Sequence, residues 1–267
     1  MLSAQTFLNL EKIKQGFDKQ FKVLVKNSSW VFIANVVAIG ALFLQSILLA
    51  RFLGTEKFGI YVLIQATVLT IQQILNLNIG VAMVRYGSEF RYQEDYARIV
   101  AFLKLSLLIV ALCGLLSLCV IAGMGLFTTV FQYQTGNLGF YVFLFALGKT
   151  IFLFDSLGIS LLQVFDRFKL NALIRICLTI VELTFIFLAI YLFEGSLKVL
   201  LLAILVSDLI SGLVRNGAAI WEVRKFLSYH SRAKINLLKE RKKEIRDFVI
   251  QNSLSQTIKT IHTKVDV

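Results

Sequence analysis

Long uncharged apolar stretches alternate with short charged ones along most of the chain. From Phe58 to Val84 a run of 27 residues contains no charged side chain. About 20 residues of helix already cross the roughly 30 Å hydrocarbon layer of a bilayer. The same pattern predicts six membrane-spanning helices, over residues 28–50, 58–84, 105–127, 138–165, 172–193 and 197–221. The neutral segment TTVFQYQTGN (128–137) joins the third to the fourth, and the charged segment DRFKLN (166–171) joins the fourth to the fifth.

The flanks differ from the spans. Leu10, Ile13, Phe17, Phe21 and Leu24 recur every three or four residues, with Lys12, Lys14, Lys19, Lys22 and Lys26 between them. That is the pattern of an amphipathic helix with a basic face, lying in the headgroup region. Residues 222–244 read as a basic loop. In 245–267, Ile245, Phe248, Val249, Ile258, Ile261 and Val265 fall mostly on one helical face. Arg246, Asp247, Lys259, His262, Lys264 and Asp266 accompany them, and each charge in lipid costs about 2.5–3.5 kcal/mol. This segment reads as the truncated start of a seventh helix, able to span only with its polar face against protein or water. The expected architecture is all-α: a polytopic membrane bundle of six transmembrane helices (28–221), an amphipathic N-terminal helix (1–27), a basic loop (222–244) and a polar partial seventh helix (245–267).

Composition supports a membrane class. Hydrophobic residues make up 57% of the 267, charged residues 16%, and the mean hydropathy is +0.76, where a soluble domain carries about 25% charge. The net charge of +12 sits between apolar runs and not in an aromatic-laced basic patch, so nucleic acid is not an expected partner. Lys and Arg number five in the N-terminal tail, four over 85–104, three over 167–175 and nine over 224–246. The opposite set of connections holds Arg51, Lys57 and Lys198. The positive-inside rule places the N-terminus in the cytoplasm. No cleavable signal peptide is evident, since residues 1–26 lack a continuous apolar core.

Candidate chemistry lies inside the membrane, where ionisable groups are costly. Lys149 and Asp155 are six residues apart, share no helix face and need partners on other helices. Lys149 suits either an anionic ligand or a structural partner. Arg175, Thr179 and Glu182 align on one face, with Glu182 the deepest. Asp208, Ser211 and Arg215 also align, and read as a polar stripe bonded within its own helix. Gln65, Gln72 and Asn76 follow one face of the second span, with Gln73 and Asn78 near it. They either line a hydrated cavity or bond between helices. The chain contains no proline, so helix breaks fall to glycine or polar insertions. Gly40, Gly80, Gly114, Gly123, Gly148, Gly158 and Gly212 read mainly as close-packing points.

Cys113, Cys119 and Cys177 lie in apolar runs without metal or redox spacing. No HExxH, GxSxG or Walker loop is present. His230 and His262 lie outside the spans. A non-enzymatic protein without metal or cofactor is expected.

LLARFLGTEKFGIYVL (48–63) resembles a recurrent N-terminal pattern of polysaccharide biosynthesis membrane proteins, the Wzx-type oligosaccharide flippases. Their superfamily also holds the multidrug-and-toxin exporters and the lipid II flippases. The match falls on Ala50, Arg51, Leu53, Gly54, Phe58, Gly59 and Tyr61. NLNIGVAMVRYGSEF (76–90) is similar to the family's end of the second span, with Gly80, Ala82, Arg85, Tyr86 and Glu89 in register, and FDRFKL (165–170) to its loop between spans four and five. Asn76-Leu77-Asn78 departs from the glycine-rich approach common in the family.

The resemblance covers about the first half of a two-bundle architecture. It implies a multi-pass protein of the bacterial cytoplasmic (inner) membrane, with membrane lipids and a lipid-linked oligosaccharide of the undecaprenyl diphosphate type as partners. Two bundles would face each other across a hydrated, cationic cavity that hides a pyrophosphate and many hydroxyls from hydrocarbon. Lys149, Gln65, Gln72, Asn76, Glu182 and Asp208 are the candidate lining, and a second half-transporter chain is a further expected partner. Two alternatives stand beside this reading: one lobe of a drug or small-solute exporter, and a truncated membrane protein without transport of its own.

Overall fold

The computed structural model describes the backbone of residues 4–131, 138–192, 196–230, 233 and 235–265. Among these residues the elements are all helical: α1 (Ala4–Leu75), α2 (Ile79–Tyr92), α3 (Tyr96–Phe131), α4 (Leu138–Val164), α5 (Phe168–Leu192), α6 (Leu197–His230), a 3-10 turn (Ile235–Arg241) and α7 (Lys242–Val265). Part of the neutral linker 128–137, together with Phe193 and Asp266, lies outside the described residues. So do the side chains of the N-terminal amphipathic face up to Leu24, and those of Ile261 and Val265.

Five helices are long and apolar enough to cross a bilayer, and the first of them crosses twice. Its apolar part runs 51 residues, Val25–Leu75, and is interrupted at Gly54, whose φ of 74° and ψ of 168° are not helical. That geometry strains any residue with a Cβ, which is why glycine sits there. The first arm of α1 runs with α5: Trp30 lies under Lys169 and Asn35 bonds Arg175. The second arm runs with α4: Tyr61 packs on Phe145 and Gln72 bonds Thr150. Because α4 and α5 run in opposite senses, Gly54 turns a membrane hairpin. Side-chain registers make α6 parallel to α4, pairing Asp208 with Lys149, Arg215 with Asp155, and Glu222 with Arg167 just past the end of α4. Six crossings in alternating direction result.

The expected second span, 58–84, is not one helix. It breaks at Asn76–Asn78, with Asn78 at φ 45° and the Asn76 carboxamide oxygen accepting the Asn78 N–H at 3.0 Å. Asparagine tolerates the left-handed region and satisfies its own turn, so two asparagines with one leucine between them achieve here what proline would do elsewhere. Beyond the break, α2 continues along α4, since Gly80 meets Ser160 and Gly87 meets Val164. The break therefore lies at membrane depth. The basic loop expected over 222–244 is also largely helical: α6 extends to His230 and the 3-10 turn occupies 235–241. Of the apolar face expected on α7, Ile245 and Val249 are buried, whereas Ile258 is exposed.

The apolar interior is divided in two. One cluster, at the end that carries the basic loops, joins Met83, Tyr86, Phe90, Phe102, Leu157 and Leu161 to Leu238 and Ile245. The other, at the far end, joins Leu49, Tyr61, Val68, Phe145, Ile186 and Leu201. Polar side chains of α4 and α6 lie between them. Along that helix pair Gly148, Ile151, Asp155 and Gly158 face Leu205, Asp208, Gly212 and Arg215. The alternating three- and four-residue spacing marks a knobs-into-holes seam, with glycines where the backbones approach. A Cβ at Gly158 would lie 3.2 Å from the Arg215 carbonyl oxygen, whereas one at Gly40 would meet nothing within 4 Å. Gly158→Ala is therefore expected to destabilise the purified protein by about 1–3 kcal/mol, while Gly40→Ala leaves its thermal midpoint in detergent unchanged or raised.

Candidate functional site

A cavity of about 400 Å³ opens between the first arm of α1 and helices α4, α5 and α6. It holds on the order of a dozen waters at about 30 Å³ each. The α1 wall runs from Val31 to Gln45, roughly 20 Å of helix. Ala38 and Ala41 face the cavity there, and their small side chains leave the space. Near the basic end the lining is Gln163, Asn171 and Arg175; at the inner end it is Gln45, Glu182, Ser207 and Asp208. Arg215, Ser211 and Thr179 lie between. The result is a polar cleft running from headgroup level to the middle of the bilayer.

Two crossed ion pairs form the α4–α6 wall. Lys149 Nζ donates to Asp208 Oδ1 at 3.0 Å. Nearly two turns further on, Arg215 pairs with Asp155, and the Ser211 hydroxyl donates to the same carboxylate at 3.2 Å. Asp155 is fully buried, and Asp208 and Arg215 are 5% exposed, so neither pair is a surface contact of marginal worth. The sign alternates along each helix, so a one-turn slip would unpair all four charges and a two-turn slip would set Lys149 beside Arg215 or Asp155 beside Asp208. Asp155 and Lys149 thus find their partners on another helix, as their spacing requires. The Asp208–Ser211–Arg215 stripe corrects the expectation of bonding within its own helix: it bonds across to α4, because glycines there let the backbones approach.

Glu182 differs from the others. It forms no ion pair or hydrogen bond with a described residue, and Lys149 is the cation that acts on it. Tyr61 approaches the same end of the cleft, its hydroxyl in reach of Gln45 and near enough to Glu182 and Asp208 to feel both charges. At the outer end Arg175 bonds Asn35 across to α1.

Of the six candidate lining residues, the structure brings Glu182 and Asp208 together in the cleft and places Lys149 behind Asp208 as its ion-pair partner. The amides of the second span lie elsewhere. Gln72 is buried and donates to Thr150 at 3.3 Å, and Asn76 caps the helix break. Gln65 is half-buried outside the cleft lining. Nor is the cleft cationic: Arg175 and Arg215 on its wall face Glu182 and Asp208 in equal number. Among the polar lining residues, Gln45, Gln163, Asn171 and Ser207 were not singled out by periodicity. Gln45, 8% exposed, lies on the stripe that carries Ala38 and Ala41.

The motif residues hold the ends of the bundle. Gly54 makes the hairpin, Phe58 packs against the far core and Tyr61 lies within it, while Gly59 has open space around it and Arg51 is exposed. Arg85 stacks over Phe248 at 4.4 Å, and Glu89 pairs with Arg241. These two contacts dock α7 and the turn before it onto α2. Asp166 pairs with Arg91, tying the loop between α4 and α5 to α2. Among the described residues no group of three His, Cys, Asp or Glu is placed to hold a metal, and the three cysteines are free.

Helical spans and a charged cleft at membrane depth define a polytopic α-helical membrane protein. Residues 24–267 match the family described as "Polysaccharide biosynthesis protein", and the chain belongs to that family. No curated protein matches the chain, and no solved structure does. The ion-pair wall makes a direct prediction. Asp155→Ala strands the Arg215 cation and is expected to cost about 3–5 kcal/mol, whereas the double replacement Asp155→Leu with Arg215→Met recovers most of it, as read from unfolding midpoints in detergent.

Proposed function

We propose that this chain is the N-terminal lobe of a flippase that carries a lipid-linked oligosaccharide, of the undecaprenyl diphosphate type, across the bacterial cytoplasmic membrane. The observation that supports this most is the cleft: charged and amide side chains line a passage from headgroup level to mid-bilayer in a member of a polysaccharide biosynthesis family. Such a passage gives sugar hydroxyls hydrogen-bond partners where lipid offers none. No covalent step is needed, and we assign no catalytic residue. Residues 28–221 serve as the transporting bundle and 222–244 as its cytoplasmic connection.

The orientation follows from charge. Lys104, Arg91, Arg98, Arg167, Lys169 and Arg241 gather at one end of the bundle, and we place that end in the cytoplasm. Trp30 and Trp221 lie at the same level under Lys169 and Arg224, as interfacial aromatics do. The outward side of α7 exposes Gln251, Ser255, Gln256 and Lys259 beside Ile250, Leu254 and Ile258. α7 runs antiparallel to α2 into the bilayer, so the polar part of this face needs protein or water beside it, which a second bundle supplies.

Expression of the chain, alone or with a second half-transporter, is expected to restore surface polysaccharide to a flippase-deficient strain; failure in both settings overturns the reading. Reporter fusions after residues 55, 133 and 196 are expected outside the cytoplasm, and a cytoplasmic signal from any of them reverses the orientation.

A further inference from the structure

The cleft carries separated charge. Its outer level holds Arg175, Arg215 and Asp155, one net positive charge when all are ionised; its inner level holds Lys149, Glu182 and Asp208, one net negative charge. The two levels are seven residues apart on both α5 and α6, roughly 10 Å along each helix. Hydrogen-bonding capacity is left over at each. Arg215 Nε and Asp208 Oδ2 are buried without a partner among the described residues, and Glu182 accepts no hydrogen bond from one. Buried groups of this kind are normally satisfied. In a cavity of about 400 Å³ water or a ligand can do so. A neutral sugar would satisfy the hydrogen bonds but leave the separated charge uncompensated. A simple anion would answer the outer level alone.

We propose that the cleft recognises a zwitterionic glycosyl phosphate, with its phosphate held at the Arg175–Arg215 level and a protonated amine on the sugar held against Glu182 and Asp208. This rests on the flippase reading and narrows it: the cargo's head carries a free amino sugar. The cationic level lies nearer the basic end, so the phosphate faces the headgroup side while the sugar points inward. A lipid-linked phosphate can take that orientation without drawing its tail out of the bilayer. Arg175 contributes a bidentate-capable guanidinium, with one nitrogen bonded to Asn35. Glu182 discriminates, because its charge has no fixed partner and an ammonium supplies one. A proton on Glu182 is the rival counter-charge, and it predicts no preference for an amine.

Calorimetric titration of the full chain in lipid nanodiscs tests this with four soluble probes: glucosamine 1-phosphate, glucose 1-phosphate, glucosamine and inorganic phosphate. Glucosamine 1-phosphate is expected to bind at least tenfold more tightly than each of the others. Glu182→Gln is expected to erase its advantage over glucose 1-phosphate, and Arg175→Gln to weaken every phosphate-bearing probe. Equal affinity for the two hexose phosphates in the unaltered chain overturns the proposal. So does an advantage that survives Glu182→Gln, or binding of inorganic phosphate as tight as that of the sugar phosphates. The ranking in the unaltered chain is decisive even if a variant fails to fold. A chain that restores surface polysaccharide yet shows no ranking sinks this inference alone. One that ranks the probes yet restores nothing keeps the site and sinks the flippase reading.

Discussion

The α4–α6 seam constrains the rest of the molecule. Two helices that each carry opposite charges at membrane depth cannot insert cheaply alone, since every unpaired charge costs about 2.5–3.5 kcal/mol on insertion scales. Set side by side with Gly148, Gly158 and Gly212 at the points of approach, they neutralise one another. The sign alternation along each helix then admits one register. Once α4 and α6 are locked, α5 and the first arm of α1 pack against the pair, and the cleft is the space that Ala38 and Ala41 leave unfilled. The groups that hold the bundle together are also the groups that polarise its cleft, so stability and recognition draw on the same side chains.

A second consequence is the division of the apolar interior. Membrane bundles are not held together by the hydrophobic effect between helices, because lipid tails are as apolar as leucine; close packing and interhelical polar contacts carry the association. Here a polar layer of ion pairs, joined by the Gln72–Thr150 hydrogen bond, separates two packed clusters. A helix path breaks near this layer, at Asn76–Asn78. There the Asn76 carboxamide oxygen accepts the Asn78 N–H, and irregular backbone at membrane depth is tolerated when buried in protein.

Much of the fold was legible in order. The succession of apolar helices and the charge asymmetry between the two ends follow from run length and loop composition, because lipid penalises charge wherever it falls, whereas α3 starts nine residues before its apolar run and α6 extends nine past its own. The partners of Lys149 and Asp155 were legible as a requirement, since six residues cannot bring two side chains to one helix face, but not as identities. The second-span amides divide. Gln72 bonds a neighbouring helix, one of the two roles open to it, whereas Asn76 turns its side-chain oxygen to the Asn78 N–H at a break that the shared face did not announce. Periodicity assumes the helix continues, and the Asn-Leu-Asn turn removes that assumption. Gln45 was passed over for the opposite reason: ten residues from Asn35, the other amide of its span, it forms no helical repeat with it.

What the sequence determined by itself is the membrane class, the order of its apolar helices, and the family motifs at their ends, because each depends on residues near one another along the chain. Only the tertiary structure decided which charges meet, that the cleft is balanced and not cationic, and that Arg85 and Glu89 dock α7. Those outcomes depend on pairings between residues from about 60 to more than 150 positions apart. No local pattern encodes such distances, whereas the cost of an uncompensated charge in lipid enforces them once the helices come together.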